Sequence, residues 1–236
     1  MEFENLEIVC NASELSEEEY ALVRKDSLGA SDSSIICGVN LYKKLEQLIM
    51  EKNSKFITPE EKEIGKKPAV RMGRDLEPLV LQRFAEKHNV EVVKPEYMYR
   101  IKEFPYLTVN FDGVIPTTDD DSKVPVEAKC VTRFGAKYYN KLANHREIRE
   151  MEIVRRGNIQ EHIKYYAGKC GIPAYYYTQV QQQLLASGAR YGYLSALFIE
   201  SWEFVDFLVP RDEITITHII SAGAKADEKI TKRQAS

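Results

Sequence analysis

The chain has 236 residues, 44% hydrophobic and 29% charged, with a formal net charge of −3 and four cysteines. That length suits one domain whose core needs no disulfide staples, and the apolar fraction excludes wholesale disorder. No run of about 18 apolar residues occurs, which excludes a membrane-spanning helix, and the acidic start Met1-Glu2-Phe3-Glu4-Asn5 lacks a secretory pattern, so a cytoplasmic protein is expected.

In chain order, Ser16-Glu17-Glu18-Glu19 is an S-x-x-E capping box that predicts a helix through about Lys25. Gly29-Ala30-Ser31-Asp32 reads as a turn feeding a short helix toward Gly38. Leu41, Leu45, Leu48 and Ile49 predict a helix over 41–52. Residues 58–68, charged and holding two prolines and a glycine, read as an exposed loop. A strong helix is expected over 72–88. Residues 97–102, 106–115 and 124–131 are rich in β-branched and aromatic types and predict a three-stranded meander. Its turns fall at Phe104-Pro105 and in the polar run 117–123. Residues 134–171 are basic on balance and too long for a structureless loop, so one or two exposed helices are expected there. A helix over 175–187, strands over 191–199 and 203–209, and a last helix from Asp212 complete an α/β chain with a mixed sheet.

Cys10, Cys37, Cys130 and Cys170 form no C-x-x-C pair and read as reduced thiols; no H-x-x-x-H or phosphate-binding glycine motif occurs. A metal acting here would therefore be one that prefers carboxylate oxygen. In Val126-Glu127-Ala128-Lys129, positions i and i+2 of a strand share a face, so Glu127 and Lys129 point the same way. Pairing through the 117–123 turn brings Asp112 opposite Glu127. Two carboxylates and an ammonium on one apolar sheet face are costly to bury without partners, a cost that a divalent cation between the carboxylates removes; the alternative is a cross-strand salt bridge of Asp112 or Glu127 with Lys129. Glu77 falls inside the apolar arc of its helix, as a third carboxylate or as an edge residue reaching water. Gln179 and Gln181 need hydrogen-bond partners on a packing face, whereas Gln182 and Gln183 read as a generic polar helix face.

These pieces, in this order, resemble the lambda-exonuclease/YqaJ-like viral recombinase family of the PD-(D/E)XK nuclease superfamily. The matching stretches are Arg24 with Gly29-Ala30-Ser31-Asp32, Gly73-Arg74-Asp75-Leu76-Glu77-Pro78, Phe111-Asp112-Gly113, Val126-Glu127-Ala128-Lys129-Cys130, Ile172-Pro173 into Tyr176-Tyr177-Thr178-Gln179-Val180-Gln181, and Pro210-Arg211-Asp212-Glu213. The resemblance implies a restriction-endonuclease-like α/β core, a mixed central β-sheet flanked by helices, over 1–236 as one nuclease domain with a helical insertion at about 140–170. It implies a metal-dependent 5′-to-3′ exonuclease on double-stranded DNA. Asp112, Glu127 and the Ala128 carbonyl would hold Mg²⁺ (or Mn²⁺), with Glu77 helping at a second ion. Lys129 would orient or deprotonate the attacking water, and Gln179 would hold Lys129 and that water. Arg24 and Ser31 would grip a 5′-phosphate, with Lys43 or Lys44 the nearest further phosphate ligand. The implied partners are DNA ends, a single-strand annealing protein of RecT/Red-beta type and two further copies in a toroidal trimer, in a bacterial cell of phage or prophage origin.

Alanine at Asp112, Glu127 or Lys129 is expected to abolish cleavage with the fold intact. The net charge of −3 is offset by a basic track through Arg24, Lys25, Lys137, Lys141, Arg146, Arg149, Arg155 and Arg156. Arg155 and Arg156 are expected to touch duplex DNA or the annealing partner. A structure-selective or restriction-type endonuclease and a non-catalytic DNA-end-binding module are the competing readings.

Overall fold

The computed structural model describes residues 3–116 and 123–234. The expected turn at 117–123, apart from Lys123, and the acidic cluster within it lie outside the described residues.

A strand, β1 (Leu6–Asn11), precedes α1 (Glu17–Val23). The Ser16 capping box forms as its sequence predicts, with Ser16 N–H donating to Glu19 at 2.9 Å. Short 3-10 turns then flank β2 (Leu28–Gly29) and lead into α2 (Ser33–Ile36). The next helix, α3 (Leu45–Asn53), begins at Leu45 rather than Leu41, because Gln47 caps the Lys44 N–H at 3.0 Å and Leu41 stays exposed. The stretch expected as a loop is α4 (Pro59–Lys66) and the start of α5 (Pro68–His88). Both prolines occupy a first helical position, where a missing N–H costs nothing. Thr58 closes a second capping box with Glu61, the N–H of Glu61 donating to Thr58 Oγ1 at 3.2 Å.

The sheets comprise β3 (Tyr97–Ile101), β4 (Phe104–Val109), β5 (Gly113–Ile115) and β6 (Val124–Val131), then, after α6 (Arg133–Ala136), α7 (His145–Arg149), α8 (Ile159–Cys170) and α9 (Ala174–Ser187), β7 (Tyr191–Phe198) and β8 (Glu203–Pro210); α10 (Glu213–Gln234) follows. The expected meander is divided between two four-stranded sheets, β1-β3-β4-β2 and β5-β6-β7-β8. The chain leaves the first after Val109, and Phe111 pins the crossing by stacking on Phe3 at 5.2 Å. Phe104 and Pro105 begin β4 instead of turning. In the second sheet only β6 and β7 run parallel, so it is mixed, as expected.

Two helices cover this second sheet on opposite faces. Tyr193 of β7 meets Phe84 of α5 edge-on at 5.0 Å. Its neighbour Gly192 points the other way, so close to α9 that a Cβ there would lie 3.3 Å from Val180. Paired residues share a face, and Gly113 pairs with Val126, which pairs with Tyr193. Gly113 therefore faces α5, where a Cβ would lie 2.8 Å from Leu81. Asp112, Glu127 and Lys129, each one step out of phase with these, face α9. The buried apolar side chains of both sheets and of the helices form one contiguous core.

The segment expected as exposed helices holds α6, α7 and α8, but α8 is not exposed. Ile159, Ile163, Tyr166, Ala167 and Cys170 recur at helical spacing and are buried, with α8 packed on α9. Among the described residues no helix is long and apolar enough to cross a membrane.

Candidate active site

The site lies where β6 outruns its partner β5. Pairing ends at Gly113–Val126, so beyond that point one edge of β6 is open, and Asp112 takes the place of a strand there. Its Oδ2 accepts from the Ala128 N–H at 3.0 Å. A residue's N–H and C=O lie on the same side of a strand, so the Ala128 carbonyl faces this edge too.

On the α9 face, Glu127 is 1% exposed. One of its oxygens takes the Lys129 ammonium and the Gln179 amide, and the other takes the Gln183 amide at 2.5 Å. Gln179 and Gln183 are one helical turn apart, so a single face of α9 grips both oxygens of the carboxylate. Burial, then the charge of Glu127, pushes the Asp112 carboxyl up to about 8, against the pull of Lys129. For Lys129, burial favours the neutral amine, but the charges of Glu127 and Asp112 outweigh it and hold the ammonium above its ordinary value. Lys129 thus lies between two carboxylates as an ammonium.

This donor set fits a hard divalent cation. Asp112 and Glu127 offer oxygens on one face with the Ala128 carbonyl beside them, and the Asp112 carboxyl, raised first by burial and then by Glu127, is one that a divalent cation would stabilise as the anion. Glu77 is not brought into contact with them. It sits on α5, with its carboxylate 2.5 Å from Lys94. Among the described residues no cluster of three His, Cys, Asp or Glu could hold a metal. Glu77 acts on Asp112 only as a charge at a distance.

One cavity of about 210 Å³ is lined by Asp112, Glu127, Lys129 and Gln179 and also by Arg24, Gly29, Ala30 and Ser31. Arg24 donates to Ser31 Oγ at 3.2 Å. Two buried lysines hold this loop in place. Lys52 binds Asp32 at 2.8 Å and donates to the Arg24 and Ser27 carbonyls, while Lys25 is locked to Glu61 and to the Glu51 and Phe56 carbonyls. Lys25 therefore leaves the expected basic track; being buried, it cannot meet a phosphate. Lys43 and Lys44 do not line the cavity either. They open onto a separate hollow with His218, Lys225 and Lys229, and Lys43 is paired with Glu51 at 2.5 Å. Arg155 and Arg156 are exposed, Arg156 over the Tyr165 ring at 5.1 Å, and neither reaches the cavity.

The reading of Gln182 and Gln183 as a generic polar face is overturned: both are buried, at 0% and 1% exposure. Gln182 donates to the carbonyls of Leu28 at 3.0 Å and Thr108 at 2.9 Å, tying β2, which leads into the Arg24–Ser31 loop, to β4. Gln181 is equally buried; it donates to the Pro210 carbonyl at 2.8 Å and accepts from the Asp212 N–H at 2.8 Å. Asp212 in turn caps α10 as its place in the sequence implies, accepting from Ile214 N–H at 3.0 Å. Gln182→Leu should cost about 2 kcal/mol by orphaning two buried carbonyls, read as a lower denaturation midpoint with an unchanged m-value. An unchanged midpoint would show the tie to be dispensable.

Residues 19–190 match the model of the YqaJ-like viral recombinase domain. The uncharacterized protein YqaJ of Bacillus subtilis (strain 168) is 26% identical over 165 residues, 70% of this chain but 46% of that protein, so the chain spans under half of that relative's length. Among solved structures, the alkaline exonuclease LHK-Exo from Laribacter hongkongensis superposes with a TM-score of 0.58 at 16% identity, over 92% of this chain and 97% of that one. The same protein is also known in complex with dAMP. A phage-related exonuclease from Haemophilus somnus 129PT gives a TM-score of 0.53 at 12% identity, over 89% and 95% of the two chains. The two-sheet arrangement with helices on both faces is thus a fold that this chain shares with these exonucleases. Because the matched span contains both the Arg24–Ser31 loop and the β5–β6–α9 cluster, the sequence and the architecture lead to one conclusion: this chain belongs to the YqaJ-like viral recombinase domain family.

Proposed function

We propose that the protein is a metal-dependent 5′-to-3′ exonuclease of double-stranded DNA ends, acting in phage-type recombination inside a bacterial cell. The observation that carries this reading is the shared cavity, in which Arg24 and Ser31 line one part and Asp112, Glu127 and Lys129 another. A guanidinium and a hydroxyl suit a terminal phosphate, and two carboxylates suit the cation that phosphodiester hydrolysis uses. That LHK-Exo is known in complex with dAMP is in keeping with a nucleotide ligand.

In this reading Asp112, Glu127 and the Ala128 carbonyl hold Mg²⁺ or Mn²⁺, and Glu77 joins at a second ion if Lys94 releases it. When bound, the ion supplies Lewis acidity and an activated water. Lys129 orients that water and neutralises developing negative charge as a fixed ammonium. Gln179 and Gln183 keep the Glu127 carboxylate in one plane. Arg24 holds the terminal phosphate, so that the first phosphodiester falls over the carboxylates. The exposed 3′ strand would pass to an annealing protein of RecT/Red-beta type, and a toroidal trimer would keep the enzyme on its duplex.

Digestion of linear duplexes with and without a 5′-phosphate tests the reading. We expect Mg²⁺-dependent loss of the duplex, stopped by chelator, with phosphorylated ends degraded faster. Arg24→Ala should remove that preference, a change of roughly ten- to a hundredfold for one charged hydrogen bond. Nicking of closed circular DNA would favour an endonuclease instead, and no metal-dependent loss of any substrate would leave only a binding module.

A further inference from the structure

Next to the cavity, on the side of Lys129, the chain exposes aromatic rings that the fold does not use. Tyr42 is 76% exposed, Phe134 72% and Tyr138 41%. They are not scattered. Tyr42 meets Tyr175 edge-on at 6.1 Å, Tyr175 meets Tyr176 at 4.5 Å, and the Lys129 ammonium lies 5.2 Å from the Tyr176 ring. Tyr138 is near enough to Tyr175 to act on its hydroxyl electrostatically. Tyr42, Tyr175 and Tyr176 therefore form a continuous row of rings that runs outward from the candidate active site, with Tyr138 alongside.

Cations are interleaved with these rings. Lys137 sits over Tyr138 at 5.0 Å, and Arg133 over Phe134 at 4.9 Å. From Lys129 to Arg146 the chain carries Lys129, Arg133, Lys137, Lys141 and Arg146 and no Asp or Glu; Lys141 pairs with Glu203 and Arg146 with Glu150, so Arg133 and Lys137 are the cations set on the exposed rings. An apolar docking partner would not call for that charge, and duplex backbone alone would not call for the rings. Flat bases on an anionic backbone call for both.

We propose that Tyr42, Tyr138 and Tyr175, with Lys137 beside them, form a stacking ledge for the unpaired bases of a single DNA strand at the mouth of the cavity. The inference rests on the nuclease reading and extends it, because it assigns to this face the strand separated from its partner at the point of cleavage. Tyr176 joins the ledge to the site by carrying Lys129 on its ring.

The test is binding of a fluorescein-labelled oligothymidylate to the full chain in chelator, against an abasic oligomer of equal length and charge. Oligothymidylate should bind roughly tenfold or more tightly than the abasic strand, as expected for stacked bases. Tyr42→Ala and Tyr138→Ala should each erase most of that difference, Tyr42→Phe should keep it, and abasic binding should stay the same in all three. Equal affinity for the two oligomers overturns the proposal, and so does undiminished thymidylate binding by both alanine variants. If Tyr42→Ala instead alters the sedimentation of the protein while leaving thymidylate binding intact, the rings belong to a contact between copies and the ledge is refuted. Because binding is measured in chelator, a lack of cleavage in the separate Mg²⁺ digestion would overturn the nuclease reading without touching the measured difference between oligomers.

Discussion

Replacing Asp112 with Asn should destroy cleavage while making the metal-free protein more stable at alkaline pH. The Asp112 carboxyl is pushed up to about 8, first by burial and then by Glu127, whereas in the unfolded chain it titrates near 4. Between those values the folded state holds a proton that the unfolded state has released, so stability falls as pH rises. The neutral carboxyl's contribution is fully present below about 4 and is lost as pH passes through about 8. Asn keeps an acceptor for the Ala128 N–H but carries no charge, so it escapes this loss. At pH 8.5 in chelator the gain should be about 2 kcal/mol, roughly 4–8 °C in Tm for a chain of this size. The melting temperature of the wild type should drop between pH 5 and 8.5 and that of Asp112→Asn should stay nearly level. Mg²⁺ should restore the wild type alone, and with higher affinity as the pH rises, since cation and proton compete for the same oxygens. Losing a metal ligand should lower the cleavage rate about a thousandfold or more. Parallel melting curves for the two proteins at both pH values would show that Asp112 is not under electrostatic strain.

The sequence is most transparent where a short period governs. Alternation along β6 places Glu127 and Lys129 on one face, and the antiparallel register brings Asp112 up to Glu127: pairing stops at Gly113–Val126, and Asp112 meets β6 through its side chain at the Ala128 N–H. Capping chemistry is equally direct at Ser16, whereas at Thr58 the same chemistry stands beside two prolines that read as breakers, although a proline at the first helical turn is compatible with the helix. What hydrophobic patterning hides is the buried polar residue. Gln181, Gln182 and Gln183 lie side by side on α9 and are all buried, because α9 is enclosed by β6, β7, β4, α8 and α10. A helix covered all round has no solvent face to which a glutamine run could be assigned. The i, i+4 spacing of Gln179 and Gln183 is the one signal that could have paired them on a common acceptor. The division of the meander into two sheets is hidden for a different reason: it depends on Phe111 finding Phe3, a contact between distant parts of the chain that local pattern does not contain.

Glu127 joins catalytic and structural roles in a way that Asp112 does not. Glu127→Ala should abolish cleavage, but the expectation that the fold survives untouched does not hold for this residue. The carboxylate is 1% exposed and is the shared acceptor of the Lys129 ammonium and of the Gln179 and Gln183 amides. Removing it leaves a largely buried ammonium beside Asp112 alone, with two amides facing a void. Breaking a buried pair by deleting one partner costs about 3–5 kcal/mol, so Glu127→Ala should melt roughly 10 °C below the wild type. The penalty comes from the stranded charge, so removing that charge should recover part of it. The double variant Glu127→Ala/Lys129→Met should therefore be more stable than Glu127→Ala, although each of the two changes deletes a residue of the site. A double variant less stable than Glu127→Ala, with the two losses adding, would mean that Lys129 and Glu127 are energetically independent. In that case the cluster would not be the tightly coupled charge arrangement that the proposed cation site requires.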